Sequence, residues 1–199
     1  MPRPKVYDED LRRRLVARAA KVLAEHGPSG LALRQVASAE GTSTTAIYSM
    51  FSDRAGLMHE VGREAERSFL AAQQAVPVTE DPYRDLLALC NAYRGWALEN
   101  PTLYQVLLTP PALDMRLHGP LPEAESADPI RKVITRLIGA GTFPAVDANL
   151  ILGLIWASIH GFVSLELSRY YDPLPREQLD RMYETQVEVV ARGWARAVR

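Results

Sequence analysis

The chain has 199 residues, 47% of them hydrophobic and 24% charged, enough to bury a substantial core in one large or two small domains. A single cysteine, Cys90, excludes an internal disulfide and fits a reducing, cytoplasmic setting. The net charge of −1 conceals an asymmetry: residues 1–55 hold nine Lys/Arg against six Asp/Glu, and residues 56–199 hold fourteen against eighteen. A basic N-terminal portion points weakly to nucleic acid; the whole chain does not. The first residues, "MPRPKVYDEDLRRR", contain no apolar run and do not read as a signal peptide.

No alternation of strand period persists anywhere, so the fold is predicted to be all-α, with about nine helices. The first helix is expected over Asp8–His26, with Leu11, Leu15, Ala19, Val22 and Leu23 on one face. "HGPSG" ends it, and a short helix from Leu33 to Glu40 turns Leu33, Val36 and Ala37 inward before Gly41 stops it. Ser43 then caps a third helix running to Phe51, which buries Ala46, Ile47 and Phe51. Asp53 caps a long fourth helix, Arg54 to Ala75, along which Leu57, Val61, Ala65, Phe69 and Ala72 step by four. Helices follow over Tyr83–Glu99 and from Pro101 to Leu108.

Five prolines between Thr109 and Pro129 predict a long loop, which could gate a binding site. A helix from Pro129 to Ile138 comes next, then an apolar one from Val146 to Tyr170, then a last one from Arg176 to Val198. Residues 148–165 carry no Asp, Glu, Lys or Arg and border on the length of a membrane span. Asn149, Ser158, His160 and Ser164 within that stretch favour burial over a membrane. An apolar face holding Ile151, Ile155, Ile159 and Phe162, with Tyr183, Val187 and Val190 of the last helix, is expected to form a homodimer interface about a two-fold axis.

Helix, glycine turn, helix over residues 33–51 is the pattern of a helix-turn-helix, whose second helix enters the DNA major groove. The composition suits that use. Thr44 and Thr45 are short, can bond a base edge or phosphate, and offer a methyl to thymine. The helix N-terminus attracts phosphate, and the Tyr48 phenol could reach a phosphate oxygen one turn later. Arg54 opens a helix, where a cation suits the dipole poorly unless a phosphate lies nearby.

Residues 10–58 resemble the DNA-binding domain of the TetR family of bacterial transcriptional repressors. An Ala-rich first helix, "HGPSGLALRQVA" and "GTSTTAIYSMFSDRAGL" carry the resemblance. It implies a DNA-binding domain over 1–53 and a helical effector-binding and dimerisation domain over 54–199. It places Arg34, Ser43, Thr44, Thr45, Tyr48, Ser49, Met50 and Arg54 against operator DNA, with Arg3 and Lys5 of the N-terminal tail adding affinity. Met50 stands where histidine is usual, Arg54 replaces lysine, and Ala32 replaces a capping Thr or Ser. "WASIHG", Trp156–Gly161, is similar to the W-x-x-x-H-G motif of one C-terminal subclass.

The function so implied is that of a homodimeric, ligand-responsive repressor released from a palindromic operator by a small, largely apolar effector. Phe69, Tyr93, Trp96, Tyr104, Leu107, Trp156 and His160 are the candidate effector contacts, with His160 or Tyr104 as the polar anchor; His160 could equally be a hydrogen-bonded core residue. A helical small-molecule-binding protein that no longer touches DNA is the rival reading. The four histidines and Cys90 have no metal-ligand spacing, no nucleophile or phosphate-loop motif appears, and neither an enzyme nor a cofactor is expected.

Overall fold

The computed structural model describes residues 9–108 and 125–196. Nine α-helices and two short 3-10 turns, Pro28–Gly30 and Glu125–Ala127, make up the described residues, which contain no strand. The helices are α1 (Glu9–His26), α2 (Leu33–Ala39), α3 (Thr44–Phe51), α4 (Arg54–Gln74), α5 (Pro82–Glu99), α6 (Pro101–Leu108), α7 (Asp128–Gly139), α8 (Ala148–Leu167) and α9 (Arg176–Arg196). Most of the expected loop between Thr109 and Pro129, and the tail residues Arg3 and Lys5, lie outside the described residues.

The chain divides into two compact units, one formed by residues 1–67 with 102–118 and the other by 68–101 with 119–199. The first is not delimited at residue 53, because α4 continues its packing: Leu57 and Val61 are fully buried in a core with Leu15, Ala19, Val36, Ala37, Ile47 and Phe51. Val106 of α6 completes that core. Gly41, at φ +64°, takes the left-handed turn between α2 and α3 that a side chain would strain. At Gly56 the constraint is space, since a Cβ there would lie 1.9 Å from the Phe51 carbonyl oxygen. That close approach fixes how α4 leaves α3.

In the second unit α5 and α7 pack together, α8 packs on both, and α9 packs on α5 and α8. Asp81 caps α5 by accepting from the Tyr83 and Arg84 amides, and Asp147 caps α8 through Asn149 N. Tyr183 of α9 donates to the Cys90 carbonyl, and Arg94 bridges Glu166 at 2.7 Å and Asp180 at 2.8 Å. Arg94 also stands over the Tyr183 ring, 4.9 Å from its centroid. One helix, α8, is long and apolar enough to cross a membrane by composition.

The expected interface residues turn out otherwise. Ile151, Ile155, Ile159, Phe162, Tyr183 and Val187 are all buried within one chain. Because α8 is apolar around its whole circumference, its periodicity could not say which face the chain itself covers. The apolar side chains left outside are Leu150 and Leu154, each 52% exposed, with Leu165 on α8 and Met182 and Val189 on α9.

Candidate DNA interface and effector region

Ala32 precedes α2 in an extended conformation without a side-chain cap bond, as its lack of a polar atom dictates. The helix ends where Gly41 N reaches Ser38 O and Thr42 N reaches Ala37 O. Ser43 Oγ then accepts from Ala46 N at 3.3 Å and starts α3. From that cap the helical period sends Ile47 and Phe51 into the core and Thr45, Tyr48 and Ser49 outward. Thr44 is half-buried, and Tyr48 is 53% exposed, a large aromatic facing solvent.

Met50 does not join that outward face. It is half-buried, packs against the core of the first unit, and its carbonyl accepts from Arg12 Nη1 at 3.1 Å. Arg54 is exposed, and its guanidinium donates to the carbonyl of Pro28, 26 residues away in sequence. The unfavourable placement of a cation at a helix start thus has a partner inside the unit.

The remaining cations of the first unit are mostly engaged too. Arg12, Arg63 and Arg67 converge on the buried Glu60 carboxylate at 2.9, 2.9 and 3.2 Å. Burial by itself would raise Glu60, but the Arg67 hydrogen bond and the three guanidinium charges outweigh it and hold the carboxyl below its ordinary value. Arg14 and Arg18 share Glu40, Arg13 bonds Asp10 and Lys21 faces Glu25. Arg34, exposed on the first turn of α2, stands apart: among the described residues it has no hydrogen-bond or ion-pair partner. The sequence selected Arg34 only through the family resemblance; its lack of a partner could not be read there, since that depends on which acids the fold brings near.

The candidate effector residues divide between the units. Tyr104 and Leu107 are buried in the first, and the other five belong to the second. There Phe69 meets Tyr93 edge-on at 5.5 Å and Trp96 at 5.0 Å between ring centroids. Trp96 Nε1 donates to Ser68 Oγ at 3.0 Å. Both nitrogens of His160 face hydroxyls, Tyr93 at 3.1 Å and Ser164 at 3.3 Å, and its ring stacks on Trp156 at 4.7 Å. Burial pushes the imidazole below its ordinary pKa, so it is neutral at pH 7. Trp156 differs: its indole N–H is buried and has no acceptor among the described residues. It lines a cavity of about 30 Å³ with Phe69, Gln73, Tyr93, Leu152 and Ile159. Gln73 and Leu89 also border a larger cavity of about 500 Å³. No cluster of metal ligands occurs among the described residues, and burial raises the Cys90 thiol to about 12, which leaves it inert.

Two family descriptions match: "Bacterial regulatory proteins, tetR family" over residues 15–61, and "Tetracyclin repressor-like, C-terminal domain" over residues 86–190, more than half of the chain. The chain belongs to the TetR family. TetR-family proteins are transcriptional regulators with a DNA-binding helix-turn-helix, not an enzyme family, and in this TetR-family chain α2 and α3 form that element. HTH-type transcriptional regulators of Mycobacterium tuberculosis (strain H37Rv) and Mycobacterium bovis are each 28% identical to this TetR-family chain over 148 residues. That match covers 73% of the chain and 59% of each relative, so the chain spans about three-fifths of their length. A Rhodococcus sp. RHA1 protein of unknown function superposes with a TM-score of 0.69 at 25% identity, covering 97% of this chain and 100% of that one. A tetR-family regulator of Shewanella sp. PV-4 gives 0.72 at 16%, covering 92% and 97%, a likeness of fold.

Proposed function

We propose that this TetR-family chain is a homodimeric repressor that reads a palindromic operator and is released from it by a small, largely apolar effector. In this reading residues 1–53 bind DNA and 54–199 bind the effector and dimerise. The observation that carries it is the outward face of α2 and α3: Arg34, a guanidinium without a partner among the described residues, together with exposed Thr45, Tyr48 and Ser49. Hydroxyls, a phenol and a guanidinium can satisfy phosphate and base-edge groups, and a single α-helix fits the major groove. Arg34, Thr44 and Thr45 supply sequence discrimination. Ser43, Tyr48, Ser49 and Arg54, with Arg3 and Lys5, supply affinity, and Met50 acts from within the DNA-facing helix α3, by seating that helix on the core.

Dimerisation through α8 and α9 covers Leu150, Leu154, Leu165, Met182 and Val189 and sets two recognition helices about 34–36 Å apart, one turn of DNA. The effector acts on α4, which carries residues of both units, and it works only by binding one state of the dimer better than the other. The match of Trp156, His160 and Gly161 to the W-x-x-x-H-G motif supports membership of that subclass. The test is selection of duplexes from a random pool followed by footprinting. A protected palindrome bound with a steep salt dependence is the expected result. A folded dimer that retains no duplex at low salt would instead identify a helical small-molecule-binding protein without DNA function.

A further inference from the structure

The anchor expected from sequence is His160 or Tyr104, yet among the described residues of the second unit the buried donor without a partner is the indole N–H of Trp156. Leaving a buried N–H unsatisfied is unfavourable, so the site favours whatever brings it an acceptor. The cavity that Trp156 lines, at about 30 Å³, has room for a small group such as one oxygen atom and its carbon, and among the described residues no Lys, Arg, Asp or Glu borders it. A carboxylate there would have to lose its hydration with no such cation to replace it, whereas a neutral carbonyl gives up far less hydration and exchanges a bond to water for one to the indole.

The remainder of such a molecule has an adjoining space. Gln73 and Leu89 form a wall common to this cavity and the larger one of about 500 Å³, whose apolar border includes Leu70, Val76 and Val133. The wall includes the bond from Gln73 Nε2 to Leu89 O at 3.4 Å, near the outer limit for a hydrogen bond. The charged groups around the larger space are of both signs, Lys132 and Arg136 against Asp85, Glu125 and Asp128, so it makes no demand for a charged ligand.

We infer that the effector is a neutral carbonyl compound with an apolar body, a ketone, ester, lactone or amide, whose oxygen accepts from Trp156 Nε1. This rests on the reading of residues 54–199 as the effector domain and gives that effector its chemical class. The test uses three seven-carbon probes on the full chain: 2-heptanone, n-heptane and heptanoate. Binding is followed by calorimetry and by the ¹H–¹⁵N resonance of the Trp156 indole. 2-Heptanone should move that resonance downfield, and heptane should leave it in place. Trp156→Phe should weaken 2-heptanone binding roughly tenfold and leave heptane binding unchanged. Should that variant not fold, the resonance in the unmodified chain decides.

An unmoved Trp156 resonance, or a folded Trp156→Phe chain that binds 2-heptanone undiminished, would overturn the assignment. Heptanoate binding more tightly than 2-heptanone would overturn the neutral class, and no binding by any probe would overturn the proposal as a whole. Operator binding measured on the same sample separates the two levels. If it persists while the ketone fails, only the effector class is wrong; if it is absent, the regulator reading itself fails.

Discussion

Replacing Arg34 with alanine should move stability and DNA affinity in opposite directions. The side chain is exposed and has no partner among the described residues, so no ion pair or hydrogen bond is lost. It sits on the first turn of α2, where a cation opposes the helix dipole by about 0.3–1 kcal/mol, and alanine is the better helix former. The variant should therefore unfold at the same or a slightly higher urea concentration. A lost base contact, by contrast, costs about 1–3 kcal/mol of discrimination, roughly 5- to 150-fold in specific affinity. Anisotropy titrations of a selected operator and a scrambled duplex, each at several salt concentrations, separate the roles. A base contact weakens only the operator complex, while a phosphate contact weakens both and lowers the salt slope by about one. Specific affinity unchanged in Arg34→Ala, with stability intact, would refute the argument that its lack of a partner marks a DNA contact. Arg54→Ala is the informative contrast: it also removes the bond to the Pro28 carbonyl, so stability and affinity should fall together.

The uncapped start of α2 makes Ala32→Ser a stabilising change of about 0.5–2 kcal/mol, readable as a higher urea midpoint; an unchanged midpoint would mean the extended geometry at residue 32 cannot cap. Asp85 is 2% exposed; burial raises its carboxyl, but hydrogen bonds from Thr79 and Arg136 outweigh burial and hold it below its ordinary value. Its contribution is thus present above the ordinary carboxylate pKa and lost as pH falls through the depressed one, and Asp85→Asn should flatten that acid limb. The same change should cost about 1–3 kcal/mol at neutral pH, less than for a wholly buried pair because Arg136 is 35% exposed. Leu154→Glu places a charge on the outward face of α8, and sedimentation should then find 22.1 kDa monomers where the unmodified chain should give dimers.

Much was legible in the sequence because it is set locally. The helix from Leu33 and the one closing at Phe51 follow from the spacing of Val36, Ala37, Ile47 and Phe51. Ser43 and Asp53 announce helix starts through the amides they accept from, Ala46 and Gly56. Even the outward placement of Thr45 and Tyr48 follows once Ile47 is known to point inward, since one helical period fixes both. The repressor-like N-terminal pattern was readable for the same reason: it is a run of adjacent residues with fixed offsets.

What the sequence could not decide depends on partners distant along the chain. Arg54 has the look of a free cation until the fold brings the Pro28 carbonyl to it, and Arg12 until Glu60 arrives. Leu150 and Ile151 are equally apolar neighbours on a helix without a polar face, and only packing against α5, α7 and α9 buries one and exposes the other. His160 and Trp156 lie four residues apart, yet Tyr93, 67 residues from His160, bonds the first while no described residue gives the indole N–H of the second an acceptor. Helical period and capping are properties of a few consecutive residues and so can be written in the sequence. Which charge is neutralised, which apolar face is covered and which donor is left unpaired are properties of pairs of segments, settled only when the chain packs them together.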